Sequence, residues 1–281
     1  MGTDTCSILL ATDLSARSDR ALDRAIDIAR RRRCKLVVLH VVEEPSLVER
    51  LMARGSEADV EAAERTLRDI AGEVDVPIEL ALETGNPVEA IQRTARVRQC
   101  DLIVTGVARD ETLGRLLLGS TVEKLAREST LPILIVKKRP HRPYQHIVAA
   151  TDFSEGSRQA MNAARAFFPT AQLTLFHAYP TLRADPDQAE IEAARRAAER
   201  VADGFIANNL AQTGLPGTRL VLEHGLPEGV VPDYVRSHPA DLMVVGTHGL
   251  TGLLRTAIGS VAERLIYLTP CDALIVRTVE H

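Results

Sequence analysis

The residues with the most chemistry in this chain of 281 amino acids run from Gly246 to Ser260: Gly246-Thr-His-Gly-Leu-Thr-Gly-Leu-Leu-Arg-Thr-Ala-Ile-Gly-Ser260. Their spacing is G-x2-G-x9-G-S. The apolar run Asp241-Leu-Met-Val-Val245 precedes them and a helical pattern follows. Such a segment suits an anion. Glycine lets the main chain approach a ligand closely and adopt positive φ. The first amides of the following helix, near Ser260 and Val261, point outward with no intrahelical acceptor. The helix dipole adds roughly half a positive charge at that end. The Ser260 hydroxyl can donate to a phosphate oxygen, and His248 and Arg255 lie inside the loop.

A carboxylate is expected on the other side of the same crevice. Ile147-Val-Ala-Ala-Thr-Asp-Phe-Ser154 reads as a buried strand ending in Asp152. In doubly wound sheets ligands bind beyond the carboxyl ends of the strands, where strand order reverses. Asp152 there can accept from a sugar hydroxyl or hold a magnesium ion.

These pieces occur twice. Ile8-Leu-Leu-Ala-Thr-Asp-Leu-Ser15 returns at 147–154, Val38-Leu-His40 at 175–177, Asp101-Leu-Ile-Val-Thr-Gly106 at 241–246, and Gly119-Ser120 at 259–260. The offset stays between 137 and 140 residues, so one unit has been duplicated. The boundary is the basic stretch Lys137-Lys-Arg-Pro-His-Arg-Pro143, whose prolines suit a semi-stiff connector. Domains are expected at 1–138 and 144–281, with a solvated linker at 139–143.

The first copy departs from the loop pattern. It reads Gly106-Val-Ala-Arg-Asp-Glu-Thr-Leu-Gly-Arg-Leu-Leu-Leu-Gly-Ser120, with Arg109 in place of Gly249 and two carboxylates after it. A bulky residue at a point of close approach blocks the cradle, and the carboxylates repel phosphate. Asp13, Val41, Gly106, Gly119 and Ser120 are retained, so the crevice should persist as a degenerate site.

The elements that hold these residues follow from periodicity. Short Val/Ile/Leu runs near 7–12, 35–42, 77–82, 101–106 and 132–136 are continuous rather than alternating, which marks strands buried on both faces. Helical patterns lie between them. Residues 19–33 place Ala21, Leu22, Ala25, Ile26 and Ala29 on one face. Asn86-Pro87 predicts an N-cap followed by proline at the first helical position. Ser120-Thr-Val-Glu123 and Ser260-Val-Ala-Glu263 match the capping box, which makes both serines N-caps. Pro232 should kink or shorten its helix. Alternation of this kind predicts an α/β fold with a parallel sheet and helices on both faces.

The motif G-x2-G-x9-G-S after a buried strand, with Ala-Thr-Asp-Phe-Ser at 150–154, resembles the universal stress protein family in its tandem form. The resemblance covers nearly the whole chain, twice. It implies two Rossmann-like domains of the adenine nucleotide alpha hydrolase-like type, each a five-stranded parallel sheet of order 3-2-1-4-5. It implies ATP, with or without magnesium, held mainly in the second domain by Ala150, Thr151, Asp152, Ala178, Val245, Gly246, His248, Gly249, Arg255, Gly259, Ser260 and Val261. Ala178 matches the position whose backbone meets adenine, and Val41 is its counterpart. Single-unit members pair through their last strands, so Ile133–Val136 and Ala273–Val276 are expected to form an intramolecular pseudo-dimer, with a further homodimer left open. The implied role is a stress-response sensor or regulator with an unknown protein partner.

Two rival readings stand beside it. One is a slow ATPase or self-phosphorylating enzyme in which Asp152 holds magnesium and His248 places water. The other is a nucleotide-independent binding module. Each residue also has a plainer role: Asp13 and Asp152 as turn acceptors, His40 and His177 as packed histidines, Gly106 and Gly246 as turn formers, Arg115 and Arg255 as solvated side chains.

Composition narrows the field. Net charge is −4 from 34 basic and 38 acidic residues, so no global positive field holds nucleic acid. Aromatic content of 3% leaves few stacking platforms. No apolar run reaches the roughly 18–20 residues that span a bilayer, and the first residues lack a secretory pattern. A cytoplasmic protein is expected. Cys6, Cys34, Cys100 and Cys271 form no CxxC pair, so they are read as buried thiols of a reducing compartment rather than a disulfide or zinc framework. Walker-type, dinucleotide-fingerprint, nucleophile-elbow and HExxH motifs do not occur.

Overall fold

The computed structural model describes residues 6–15, 18–42, 57–72, 75–110, 115–117, 119–181, 183, 185–209, 218–247 and 259–278. The chain divides into two units, Met1–Pro143 and Tyr144–His281.

In the first unit the five apolar runs form β1 (Ser7–Thr12), β2 (Lys35–Val42), β3 (Ile78–Thr84), β4 (Leu102–Gly106) and, after a short hairpin, β7 (Ile133–Val136). All pair in parallel, in the order β3-β2-β1-β4-β7. Ile8, Leu9, Leu10, Leu102, Ile103 and Val104 are fully buried. That is why β1 and β4 read as unbroken apolar runs rather than alternating ones. The hairpin joins β5 (Ala108–Asp110) to β6 (Arg115–Leu117), with Arg109 opposite Leu116. Helices α1 (Asp19–Arg32), α2 (Glu57–Gly72), α3 (Pro87–Val97) and α4 (Ser120–Glu128) connect the strands. The second unit repeats the plan with β8 (His146–Ala150), β9 (Gln172–Tyr179), β10 (Arg219–His224), β11 (Leu242–Gly246) and β12 (Asp272–Val276). Its parallel order is β10-β9-β8-β11-β12, and its helices are α5 (Glu155–Phe167), α6 (Gln188–Asn209), α7 (Pro227–Ser237) and α8 (Ser260–Leu268). In each unit the order reverses beside the first strand, which opens a crevice at the strand C-termini.

Local signals account for several elements. Asn86 caps α3 by accepting from the Val88 and Glu89 amides at 2.9 and 3.3 Å, with Pro87 next. Gly85 before it has φ 110° and Gly225 before α7 has φ 139°, a region that favours glycine. Asp101 and Asp241 open β4 and β11 and accept amides at the start of β1 and β8, Ser7 at 3.2 Å and Gln145 at 2.8 Å.

Three expectations are corrected. On α1 the buried face is Ala21, Arg24, Ala25, Ile28 and Ala29, while Leu22 and Ile26 are half-buried flanks. Arg24 is buried because its guanidinium donates to the Arg142 carbonyl at 3.0 Å. That bond, with the Arg139–Asp23 pair at 3.2 Å, ties the basic connector to α1, while Arg139, His141 and Arg142 remain exposed to solvent. Pro232 does not shorten α7, which has 11 residues like α3. Proline removes only its own N–H, and the burial of Val231, Pro232, Tyr234 and Val235 holds the helix across the gap. Cys6 and Cys34 are joined as a disulfide, not held as two thiols. Their distance in sequence concealed the lateral pairing of β1 with β2. Cys100 and Cys271 are buried and take no part in the disulfide.

Candidate functional site

The turn after each first strand is built by side chains that replace a strand partner. In the second unit the Thr151 hydroxyl accepts from the Phe153 amide at 2.9 Å, and Asp152 Oδ1 accepts from the Ser154 amide at 3.0 Å. The first unit repeats both bonds, Leu14 N–H to Thr12 Oγ1 and Ser15 N–H to Asp13 Oδ1, each at 3.0 Å. These overlapping turns hold Leu14 and Phe153 at φ 58° and 62°, left-handed values that a branched or aromatic side chain rarely adopts. Asp13 and Asp152 are thus turn acceptors and also sit at the crevice.

A second serine fixes each carboxylate. Ser157 Oγ donates to Asp152 Oδ1 at 2.7 Å and Ser18 Oγ donates to Asp13 Oδ1 at 2.5 Å. Burial tends to raise the Asp13 pKa. Hydrogen bonds from Ser18 and Ser15 outweigh it and hold Asp13 below its ordinary value. The sequence carried this signal as D-x-S-x-x-S at 13–18 and 152–157, which motif reading passed over.

The neighbouring strand offers a main-chain edge. In a parallel strand successive residues present their N–H and C=O to alternate sides. Phe176 accepts from Thr151 N–H at 2.9 Å, on the β8 side, while Tyr179 accepts from Gly225 N–H at 3.2 Å, on the far side. Ala178 therefore presents its amide and carbonyl toward β8 after β8 has ended. The same alternation, fixed by Gly85 N–H to Val42 O at 3.0 Å, turns Val41 toward β1. His177 and His40 brace these strand ends through Nδ1 to Thr151 O at 2.7 Å and Thr12 O at 2.9 Å. Both are packed histidines, and the His177 ring lies against Phe153 at 4.5 Å.

The third wall is the start of α8. Gly259, not Ser260, is the N-cap, with φ −57° and ψ 139°; it has no side chain to cap with, and Ser260 is the first helical residue. The first-unit helix likewise starts from Gly119, with Ser120 inside it. The capping-box expectation is therefore corrected by one residue. Gly259 is held there because its N–H donates to Thr247 O at 2.9 Å. The amides of Ser260, Val261 and Ala262 precede the first possible intrahelical acceptor. Neither Gly246 nor Gly259 has positive φ. Gly246 is small because a Cβ would lie 3.0 Å from the Gly156 backbone, and at Gly259 one would lie 3.2 Å from Thr247 O.

These walls enclose a cleft of about 250 Å³. Ala150, Thr151, Asp152, Ala178, Val245, Gly246, Gly259, Ser260 and Val261 all line it, with Ser157, Thr247, Pro227, Val231 and Leu265 in addition. The apolar additions close the crevice from α7 and α8, which a motif at the strand ends does not reveal. His248, Gly249 and Arg255 lie outside the described residues. The first unit has a matching cleft of about 270 Å³ lined by Asp13, Ser18, Val41, Gly106 and Gly119. Thr121 and Val122 line it, whereas Ser120 does not. Arg109 lies on the hairpin strand β5, whose main chain pairs with β6. No helix of the described residues is long and apolar enough to cross a membrane. Among those residues no three His, Cys, Asp or Glu side chains gather as a metal site.

Comparison with known proteins gives the same division. The model of the universal stress protein family matches residues 7–137 and again 143–277. The chain belongs to the universal stress protein family. A protein of Staphylococcus epidermidis named as a universal stress protein is 31% identical over 146 residues, 49% of this chain and 86% of that one. A Staphylococcus aureus counterpart is 30% identical over the same shares. Among solved structures, a universal stress protein from Archaeoglobus fulgidus matches with TM-score 0.70 and 20% identity, over 98% of this chain and 99% of its own. A functionally unknown protein from Pseudomonas aeruginosa matches with TM-score 0.69 and 21% identity, over 98% and 93%. At such identities the structures speak for the fold alone.

Proposed function

We propose that the second unit of this universal stress protein binds ATP and that the chain acts as a nucleotide-responsive regulator of a cytoplasmic stress response. The observation that carries this reading is the meeting, in one cleft, of the Asp152 carboxylate, the outward main-chain edge of Ala178 and the open amides that begin α8. Ala178 N–H and C=O match the acceptor and donor on one edge of adenine. Asp152, fixed by Ser157, accepts from a ribose hydroxyl. The Ser260–Ala262 amides and the Ser260 hydroxyl take the phosphates. A magnesium ion near Asp152 would draw its other ligands from phosphate and water, since no carboxylate cluster supports it among the described residues. Holding ATP in this way supports occupancy-dependent partner choice more than turnover.

The first unit is read differently. Its cleft and carboxylate are retained, yet the segment that corresponds to the phosphate loop contains the β5–β6 hairpin. It is proposed to take ATP weakly or to hold a ligand without a polyphosphate.

The test is chemical. Denaturing the purified protein and separating the supernatant should release adenine nucleotide, about one per chain rather than two. Gly249→Arg, which copies the first unit into the second, should abolish this. Absence of nucleotide together with no uptake on titration, or undiminished ATP affinity in Gly249→Arg, would refute the reading.

A further inference from the structure

The ends of the first-unit strands opposite the cleft carry an arrangement that the nucleotide reading does not use. Ser7 on β1 is level with Lys35 on β2, and Ile8 is level with Leu102 on β4. The bonds continue one row earlier: Lys35 N–H donates to Cys6 O at 3.0 Å and Asp101 N–H donates to Ser7 O at 2.8 Å. Cys6 therefore stands level with Cys34 on one side and Cys100 on the other. Neighbouring strands lie about 4.8 Å apart, and the Cys6 and Cys34 Cα atoms are separated by 4.7 Å.

Cys34 and Cys100 are delivered by the same device. Each follows a helix and a left-handed residue, Arg33 at φ 56° and Gln99 at φ 50°. Each sends its N–H back to the helix, to Ala29 O at 2.9 Å and Ala95 O at 2.8 Å. Exposure separates the three: Cys34 and Cys100 are buried, while Cys6 is partly exposed. Gln145, Ala171 and Ala240 occupy the corresponding places in the second unit, so the row is peculiar to the first.

We propose that the Cys34–Cys6–Cys100 row is a redox-modification site for oxidants of the peroxide class, with Cys6 as the attacked thiol and Cys34 as the resolving thiol. The Cys6 thiolate attacks one peroxide oxygen and the O–O bond breaks, giving a sulfenic acid and, after protonation, water. The Cys34 thiolate then attacks the Cys6 sulfur, the S–O bond breaks and a second water leaves. In sum, two thiols and hydrogen peroxide give one disulfide and two waters, and the cysteines lose two electrons. Cys100 stands second because Cys34 is the cysteine bonded to Cys6 in the structure, and burial pushes the Cys100 thiol up to about 11, which slows its attack. If Cys34 is missing, Cys100 is the next sulfur in reach.

The experiment uses the full chain, reduced with dithiothreitol, freed of reductant and given one equivalent of hydrogen peroxide. It is then alkylated in denaturant and mapped by mass spectrometry without reduction. Free thiols should fall from four to two, with a Cys6–Cys34 linked peptide and alkylated Cys271. Cys34→Ser under the same treatment should yield a Cys6–Cys100 link. The double variant Cys34→Ser/Cys100→Ser should accumulate a sulfenic acid at Cys6 that dimedone traps. Cys100→Ser should leave the Cys6–Cys34 link intact, which keeps the test decisive if the Cys34 variants fail to fold. Four alkylated thiols, or a first adduct on Cys100 or Cys271 with Cys6 untouched, would overturn the proposal. A folded Cys34→Ser with no Cys6–Cys100 link would contradict the row itself.

Discussion

The Ser157 hydroxyl donates to Asp152 Oδ1 at 2.7 Å and accepts from the Asp152 amide at 3.2 Å, so one serine on α5 holds both the side chain and the main chain of the crevice aspartate. Its role is positioning. Ser157→Ala should weaken ATP binding about five- to tenfold, the worth of about 1 kcal/mol for one hydrogen bond. Asp152→Ala should weaken it further. Calorimetric titration of both variants checks the order; equal ATP affinity in Ser157→Ala and the parent would remove the positioning role.

Ser260 separates binding from stability. It lies inside α8 and makes no capping bond, so Ser260→Ala should change unfolding free energy by less than about 0.5 kcal/mol. The same variant should lose ATP affinity. Ser154→Ala makes the contrast, because Ser154 caps α5 by accepting from Ser157 N–H at 3.3 Å. That change should cost about 1 kcal/mol. Urea denaturation of the two variants side by side should show the difference; a Ser260→Ala loss as large as that of Ser154→Ala would restore the capping role.

Gly246→Ala should destabilise the protein by about 1–3 kcal/mol, because the new Cβ would press on the Gly156 backbone at 3.0 Å and push α5 off the sheet. The cost arises without any ligand. A denaturant midpoint equal to that of the parent in nucleotide-free protein would show that the contact relaxes freely.

Cys100 gives a pH dependence with a definite sign. Burial is the main cause that raises its thiol from 9.0 to about 11, with Asp101 and Glu79 adding to the rise and Lys35 and Arg98 opposing it. The fold thus favours the protonated form. Its contribution is complete below the ordinary thiol value and is lost as pH rises through about 11. Relative to Cys100→Ala, the parent should lose stability between pH 9 and 11. Parallel curves for the two proteins across that window would contradict the assignment.

Much of this architecture was legible in the residues. Continuous apolar runs marked β1 and β4 because both faces of those strands are covered, and Asn86-Pro87 marked a helix start because that cap is local. The crevice residue Asp152 followed from the end of its strand, and Ala178 from the family resemblance. Sequence spacing could not reveal Cys6–Cys34, which depends on the lateral register of two strands. Gly246 was read for its backbone freedom, whereas its smallness answers to α5 packed across the sheet. Ser260 was misplaced by one residue because the Gly259 amide is already engaged by Thr247 O, a contact between segments that no capping pattern encodes.

The claim that the second cleft holds ATP is met most directly by measuring ATP stoichiometry and affinity in the parent, Asp13→Ala and Asp152→Ala chains. The account predicts about one ATP per chain in the parent and in Asp13→Ala, and loss of binding in Asp152→Ala. Binding that survives Asp152→Ala and disappears in Asp13→Ala, or no binding in the parent at millimolar ATP, would contradict it.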